Sequence, residues 1–418
     1  MDTKMLNNIK THKTVIYGAG NIARLAITYL KSEIKNFEEQ IAGCAVSSKK
    51  RISTGELENL PIRTIDEYLP SKDELFFLVA ANPRFLKEIE DELRERKISR
   101  YAFFDCEKCK DFLELKWKEN SKARYEDFRK NLKKDVLSSE EYYTFLGKQL
   151  KKTLNFEINV AEHCNLNCQS CNHFSPLAKE IFLRTDRLEK DLQRISSLYG
   201  DDIGNVMLLG GEPLLHPEIN EVLCISRKFL PHASISLVTN GLLLAKMDED
   251  FWRLMKELDI SLNVTVYPIK FDYEKYERKA RECGIKNNFD HSSLGGRSEI
   301  VKTTYLMPIR DVPAFNPYEM YARCEHANFC VALKEGRIYS CSFASNIHHY
   351  NEYFHKNIPE SEEVSINIYE NGRKEIDEYL KSPNKMCSHC DICGYKYDIP
   401  WRVSEKRAEE WIGETAEI

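Results

Sequence analysis

The sequence predicts an α/β protein built from more than one unit. Apolar strand-like runs alternate with amphipathic helix-like runs twice over, first within residues 13–104 and again from residue 155 onward, the pattern of parallel strands joined by crossover helices. A chain of 418 residues also exceeds what one ordinary hydrophobic core serves. The units are expected at 1–110, a helical connector at 111–152, 153–320 and 321–418. With 42% hydrophobic and 30% charged residues, the composition is that of a globular chain.

In the first unit, residues 13–17 read as a strand that runs into Gly18-Ala19-Gly20 and a helix over 22–32. Strands at 41–46, 75–80 and 101–104 and a helix at 83–96 follow. Gly18, Gly20 and Ala23 resemble the G-x-G-x-x-A fingerprint of dinucleotide-binding proteins, which implies a half-Rossmann, nucleotide-binding-like module. The acidic residue that should close the second strand is replaced by Ser47, Ser48, Lys49, Lys50 and Arg51. That favours a structural or nucleotide-sugar-contacting module over a hydride-transfer site. Cys106 and Cys109 lack a second pair nearby and read as incidental. The charged connector places Phe128, Leu132 and Val136 at helical spacing.

The second α/β run opens with a strand at 155–161, where Phe156, Ile158 and Val160 alternate with Glu157, Asn159 and Ala161. A helix at 187–198 follows, with strands at 205–209, 234–239, 261–266, 286–289 and 302–306. Three cysteines, Cys164, Cys168 and Cys171, come directly after the first strand. A [4Fe-4S] cluster takes four thiolates, so a loop offering three leaves one iron open. The triplet with His163 or His173 also matches a four-coordinate zinc site. Gly210, Gly211, Glu212 and Pro213 follow the second strand and Thr239 and Asn240 the third, while Ser261, Asn263 and Thr265 share one face of the fourth.

The Cys-x3-Cys-x2-Cys spacing, with Gly210-Gly211-Glu212-Pro213 one β-α-β unit downstream, resembles the signature of the radical S-adenosylmethionine (SAM) enzymes. The resemblance implies a partial (β/α)6, TIM-like barrel open at the side, with a [4Fe-4S] cluster on Cys164, Cys168 and Cys171. It implies SAM on the free iron, its ammonium paired with Glu212, and glycines at 210 and 211 clearing a close approach. Thr239, Asn240, Asn263 and Thr265 are then expected near the ribose or carboxylate. In that family an electron, from a donor such as flavodoxin or ferredoxin, splits SAM into a 5′-deoxyadenosyl radical that abstracts a substrate hydrogen. Members often carry an aromatic residue before the third cysteine; here that residue is Ser170, and adenine packing is expected from His173 or Phe174.

Further cysteines lie at Cys324, Cys330 and Cys341 and in Cys387-Ser-His-Cys390-Asp-Ile-Cys393. Residues 329–333 and 337–342 read as a hairpin turning at Gly336. This resembles the start of a twitch or SPASM extension, which implies a small α+β domain with an auxiliary [4Fe-4S] cluster. The expected ligands are Cys324, Cys341, Cys387 and Cys390, with Cys330 and Cys393 as alternatives and a zinc ribbon as the other metal reading. His348, His349 and Tyr350 are candidates for the substrate side, and 401–411 reads as a closing amphipathic helix.

A net charge of -5 gives no electrostatic footprint for nucleic acid. No signal-peptide core or membrane-length apolar run is visible. Fourteen clustered cysteines read as metal ligands in a reducing compartment, so a cytoplasmic location is expected. The expected activity is that of an oxidoreductase, dehydratase or epimerase on a small molecule, a sugar or nucleotide-sugar of polysaccharide assembly. A peptide-modifying maturase and a non-catalytic metal-binding scaffold are the alternatives.

Overall fold

The computed structural model describes residues 3–47, 55–132, 137–290, 303–392 and 396–412. The chain falls into two compact units, Met1–Lys152 and Thr153–Ile418. Ser48, Lys49, Lys50, Arg51, Val136 and Cys393, each singled out by the sequence, lie outside the described residues.

The first unit holds strands β1 (Lys13–Tyr17), β2 (Ile41–Val46), β3 (Glu56–Leu57), β4 (Leu60–Thr64), β5 (Leu75–Val79) and β6 (Tyr101–Phe103), in the sheet order β3-β4-β2-β1-β5-β6. All pairs except β3 with β4 are parallel. β4 is an addition to the sequence reading: Leu60-Pro61-Ile62-Arg63-Thr64 carries a proline and little alternation, and it sits at the sheet's β3 side, where such a strand is tolerated. The module therefore carries five parallel strands and extends beyond a half unit, with the order switching direction beside β1. Gly18, at φ +140°, is needed there, since a Cβ would lie 2.2 Å from the Ala80 carbonyl oxygen. Ser47, which closes β2, donates to Glu92 on helix Leu86–Glu95 (2.6 Å).

The second unit is organised by β7 (Leu154–Ala161), β8 (Ile203–Gly210), β9 (Ser234–Thr239), β10 (Ile260–Thr265) and β11 (Asn287–Asp290), all parallel. Helices Thr185–Tyr199, Ile219–Phe229, Glu249–Glu257 and Tyr273–Glu282 cross between them. Leu188, Leu192 and Ile195, one helical stripe, bury against Phe156, Ile158 and Val160, one strand face. Each such side chain contributes about 1.5–3 kcal/mol on full burial. The opposite face, Glu157 and Asn159, is left looking inward.

Two elements depart from expectation. β12 (Thr303–Leu306) does not extend the parallel sheet as a sixth strand; it pairs antiparallel with β16 (Lys396–Pro400). Instead the sheet grows on its other edge. β13 (Ala332–Lys334) runs parallel to β7, then β14 (Arg337–Tyr339) and β15 (Ser365–Asn367) add antiparallel, so one eight-stranded open sheet spans the boundary expected near residue 320. The β13–β14 turn is Glu335-Gly336, with φ of 47° and 69°, the left-handed pair a tight two-residue hairpin demands.

The tail is not a helix. Apart from a 3-10 turn at Ala408–Glu410, residues 401–411 are irregular, with Val403 bridging Cys168 of the cysteine loop and Lys406 left-handed (φ 57°). An eleven-residue helix is marginal on its own, and here loop backbone takes the hydrogen bonds it would have used. Trp411 enters a second core with Phe174, Phe343, Ile347 and Tyr350. Among the described residues no helix is long and apolar enough to cross a membrane.

Candidate functional site

The loop after β7 is tightly wound. Asn167, Ser170 and Phe174 all have left-handed backbones (φ 52°, 56° and 52°), conformations that persist only where surrounding structure holds them. The tail provides that hold. Gln169 donates its amide to Arg402 (3.0 Å), Ser404 donates to Asn167 (2.8 Å), the Ser170 hydroxyl donates to Glu410 (2.7 Å) and the Trp411 indole donates to the Cys171 carbonyl (2.8 Å). Backbone amides also point at sulfur: Leu166 at Cys164 (3.4 Å), and His173, Phe174 and Ser175 at Cys171. Burial pushes the Cys164 thiol up to about 12, followed by the Leu166 amide, which acts the other way. Three half-buried cysteines, with amide donors at the Cys164 and Cys171 sulfurs, fit a cation that takes them as thiolates.

The turn after β8 is fastened to this loop. The Gly211 amide donates to Ala161 (2.8 Å) and the Glu212 amide to His163 (3.0 Å). A Cβ on Gly210 would lie 2.2 Å from the Ala161 oxygen, and one on Gly211 would lie 2.0 Å from the His163 oxygen. The close backbone approach these glycines serve is that of the end of β7 and the cysteine loop. Glu212 is fully buried. Its Oε1 accepts from the Thr239 hydroxyl (2.6 Å) and the Leu214 amide (3.0 Å), and its Oε2 from the Asn240 amide (2.9 Å). Burial raises its pKa to about 7 against those bonds. A carboxylate has about four lone-pair positions, so one on Oε2 is left for a further donor.

Asn240 faces the cysteines: its Nδ2 donates to Asn165 (2.8 Å) and lies 3.7 Å from the Cys164 sulfur. Pro213 is buried at the start of the turn Pro213–Leu215. Asn263 and Thr265 are half-buried on the inward face of β10, while the Ser261 hydroxyl is directed to the Ile235 carbonyl (3.4 Å). Phe174 is fully buried against Phe343, Tyr350 and Trp411 and makes a core contact.

Sequence reasoning missed two aromatic residues beside the triplet. Tyr267 follows β10, and burial and then Cys168, with Cys171 and Cys164 behind it, hold its hydroxyl well above the usual tyrosine range. Trp401 packs its ring 5.5 Å from the Tyr267 ring. No local motif marks either, because the tail reaches the loop only through tertiary pairing.

The later cysteines converge. Burial and then Cys341, Cys387 and Cys324 push the Cys390 thiol well above its ordinary range, and burial and then Cys324 push Cys341 up to about 12. Cys341 caps helix Ser342–Phe354, and the Phe343 and Ala344 amides address its sulfur. Cys330 sits with His326 (3.8 Å). Among the described residues, the group of three or more His, Cys, Asp or Glu whose ligand atoms all lie within 4.8 Å of one another is Glu162, His348 and His349. No cysteine trio is that tight.

A polar chamber lies on the inward face of β7. Glu162 accepts from Lys334 Nζ (2.8 Å) and pairs with His349 Nε2 (2.8 Å). Burial alone would raise its pKa, but the His349 bond and the Lys334 charge outweigh that and hold it at about 2. Asn159 donates to Asn346 (2.7 Å), which also receives Lys334 (3.3 Å). The lysine in contact makes this trio a poor metal site. Burial lowers His348 to about 3 and His173 to about 4, and raises Glu157 to about 8. Glu157 Oε1, Asn159 Oδ1 and His173 Nδ1 are buried without a hydrogen-bond partner, although His173 Nε2 is 3.8 Å from Glu157. Buried orphan atoms of this kind mark a place for water or ligand.

Residues 158–292 match the family model described as the Radical SAM superfamily. Among curated proteins, a stretch of 119 residues is 31% identical to molybdenum cofactor biosynthesis protein 1 of Bos taurus, covering 28% of this chain and 18% of that protein. Another of 149 residues is 26% identical to GTP 3′,8-cyclase of Lactiplantibacillus plantarum, covering 35% and 42%. The chain thus spans less than half the length of these relatives. Among solved structures, BtrN in complex with AdoMet and 2-DOIA is similar at a TM-score of 0.37 and 16% identity, covering 58% of this chain and 94% of that one. Native anSMEcpe with bound AdoMet is similar at 0.38 and 14%, covering 57% and 82%.

Proposed function

Because residues 158–292 match the radical SAM family model, we propose that this chain cleaves SAM at a [4Fe-4S] cluster held by Cys164, Cys168 and Cys171. It then removes hydrogen from a polyhydroxylated small molecule, a sugar or nucleotide-linked sugar, toward oxidation, dehydration or epimerisation. The observation that carries this is the fastening of the three-thiol loop to the Gly211–Glu212 turn through Gly211 to Ala161 and Glu212 to His163. When bound, the cluster supplies one electron and SAM the adenosyl group that becomes the hydrogen acceptor.

The chain's own residues bind and orient. Glu212, braced by Thr239, Leu214 and Asn240, keeps one lone pair for the SAM ammonium. Asn240, Asn263 and Thr265 line the inward strand ends where the ribose and carboxylate would lie. The chamber of Glu157, Asn159, His173, Lys334, Asn346 and His349 offers donors and acceptors suited to hydroxyl groups, which supports a sugar over an apolar peptide side chain. Cys324, Cys341, Cys387 and Cys390 hold the auxiliary [4Fe-4S] cluster, a reading supported by their convergence on Cys390. A flavodoxin or ferredoxin serves as electron donor. The name of the GTP 3′,8-cyclase relatives agrees with a nucleotide-bearing substrate.

The test is anaerobic turnover with carbon-deuterated nucleotide-sugars and, in parallel, deuterated peptides. Deuterium in 5′-deoxyadenosine from a nucleotide-sugar supports the reading; transfer from peptides alone refutes the substrate class.

A further inference from the structure

We propose that Trp401, delivered by the C-terminal tail, and Tyr267 form the aromatic wall of the SAM adenine site. The assignment rests on the SAM-binding reading of the triplet and deepens it. The register of the tail is fixed on both sides of Cys168: Cys168 bridges Val403 antiparallel, the Gln169 amide donates to Arg402 (3.0 Å) and the Ser404 amide to Asn167 (2.8 Å). Two residues upstream of that bridge, Trp401 sets its ring 5.5 Å from Tyr267, tilted by 60°. Tyr267 continues the inward series Asn263, Thr265 past the end of β10 and lies within electrostatic reach of all three thiols. The pair therefore stands beside the three thiols, past the carboxyl end of β10.

The second observation concerns the indole. Trp401 Nε1 is buried and has no hydrogen-bond partner, and a buried donor without an acceptor is unfavourable unless a ligand or water supplies one. Adenine is a flat heteroaromatic ring with acceptor nitrogens, so it meets both features, a π face and an N–H. The position before the third cysteine cannot supply that face. Ser170 is left-handed (φ 56°), and its hydroxyl is engaged by the Glu410 carbonyl (2.7 Å). The tail thus runs past the side chain that lacks a ring and brings one from 231 residues further along the chain, 401 minus 170.

The experiment uses cluster-loaded full-length protein under anaerobic conditions, with SAM, methionine and 5′-deoxyadenosine titrated separately by calorimetry. Iron and sulfide contents are measured for every variant. Trp401→Ala should keep the iron content and weaken SAM and 5′-deoxyadenosine by about 5- to 100-fold, the range expected for one stacked base. Methionine affinity should stay unchanged, and Trp401→Phe should recover most of the loss. An equal loss for methionine and SAM, or no loss for SAM, overturns the proposal. Photolysis of an 8-azidoadenosyl analogue of SAM on the native chain gives a readout that needs no variant: adducts at Trp401 or Tyr267 support the wall, and adducts confined elsewhere overturn it. Native, fully loaded protein that binds no SAM defeats the SAM reading itself, whereas native binding with an unaffected Trp401→Ala variant defeats the wall alone.

Discussion

Replacing Lys334 by methionine removes the charged partner of the buried Glu162 carboxylate and leaves it with His349 alone (2.8 Å). The Lys334–Glu162 contact is 2.8 Å, with side chains 15% and 10% exposed. At an effective dielectric of about 20 that contact is worth about 6 kcal/mol. Burial already pulls the Lys334 pKa down, so part of the attraction only offsets the lysine's own desolvation. Breaking such a pair from one side costs about 3–5 kcal/mol, and for a unit of this size each kcal/mol moves Tm by about 2–4 °C. Lys334→Met should therefore lower Tm by about 6–20 °C in thermal melts followed by circular dichroism. The double variant Glu162→Gln/Lys334→Met, which removes the carboxylate that has lost its cation, should recover most of it. The acid limb gives a second readout. Glu162 is held at about 2, below an unfolded value of about 4.3. Its contribution is thus full above the unfolded value and lost as pH falls toward 2. In Lys334→Met the loss should begin at higher pH. A single variant within 1 °C of native, or a double variant no better than the single, would refute the reasoning.

Glu157 has the opposite sign: burial raises it to about 8, so stability should decline as pH rises from about 4.3 toward 8, and Glu157→Gln should flatten urea-denaturation midpoints across that window. At the auxiliary site, Cys390→Ala should remove about half the iron, as one of two four-iron centres, while Cys330→Ala leaves the iron content unchanged; equal losses from both would reassign the ligands.

The strands that carry the site were legible because their alternation is local. Glu157 and Asn159 against Phe156, Ile158 and Val160 already separate an inward polar face from a buried apolar one, and the turn residues Gly210 to Pro213 announce themselves by type. Cys341, Cys387 and Cys324 lie within electrostatic reach of Cys390. What the sequence could not display is pairing across distance. β12 leaves the parallel sheet because β16 offers it an edge, and Trp401–Trp411 is not a helix because Asn167, Gln169, Ser170 and Cys171 offer it partners. Its apolar spacing is equally compatible with a helix. Glu212 stands out in the sequence by its motif, but its brace of Thr239, Leu214 and Asn240 needed the ends of two strands to be adjacent. Lys334 reaches Glu162 across 172 residues, and nothing near either position signals the other.

The central claim, that Cys164, Cys168 and Cys171 hold the cluster at which SAM is cleaved, is tested by anaerobic reconstitution of the native chain and of Cys164→Ala/Cys168→Ala/Cys171→Ala. Iron and sulfide counts and a dithionite-driven assay for 5′-deoxyadenosine are the readouts. The account predicts 5′-deoxyadenosine from the native chain and none from the triple variant, which keeps about half the iron on its auxiliary cysteines. Zinc without iron in the native chain, or SAM cleavage that survives the triple substitution, would contradict it.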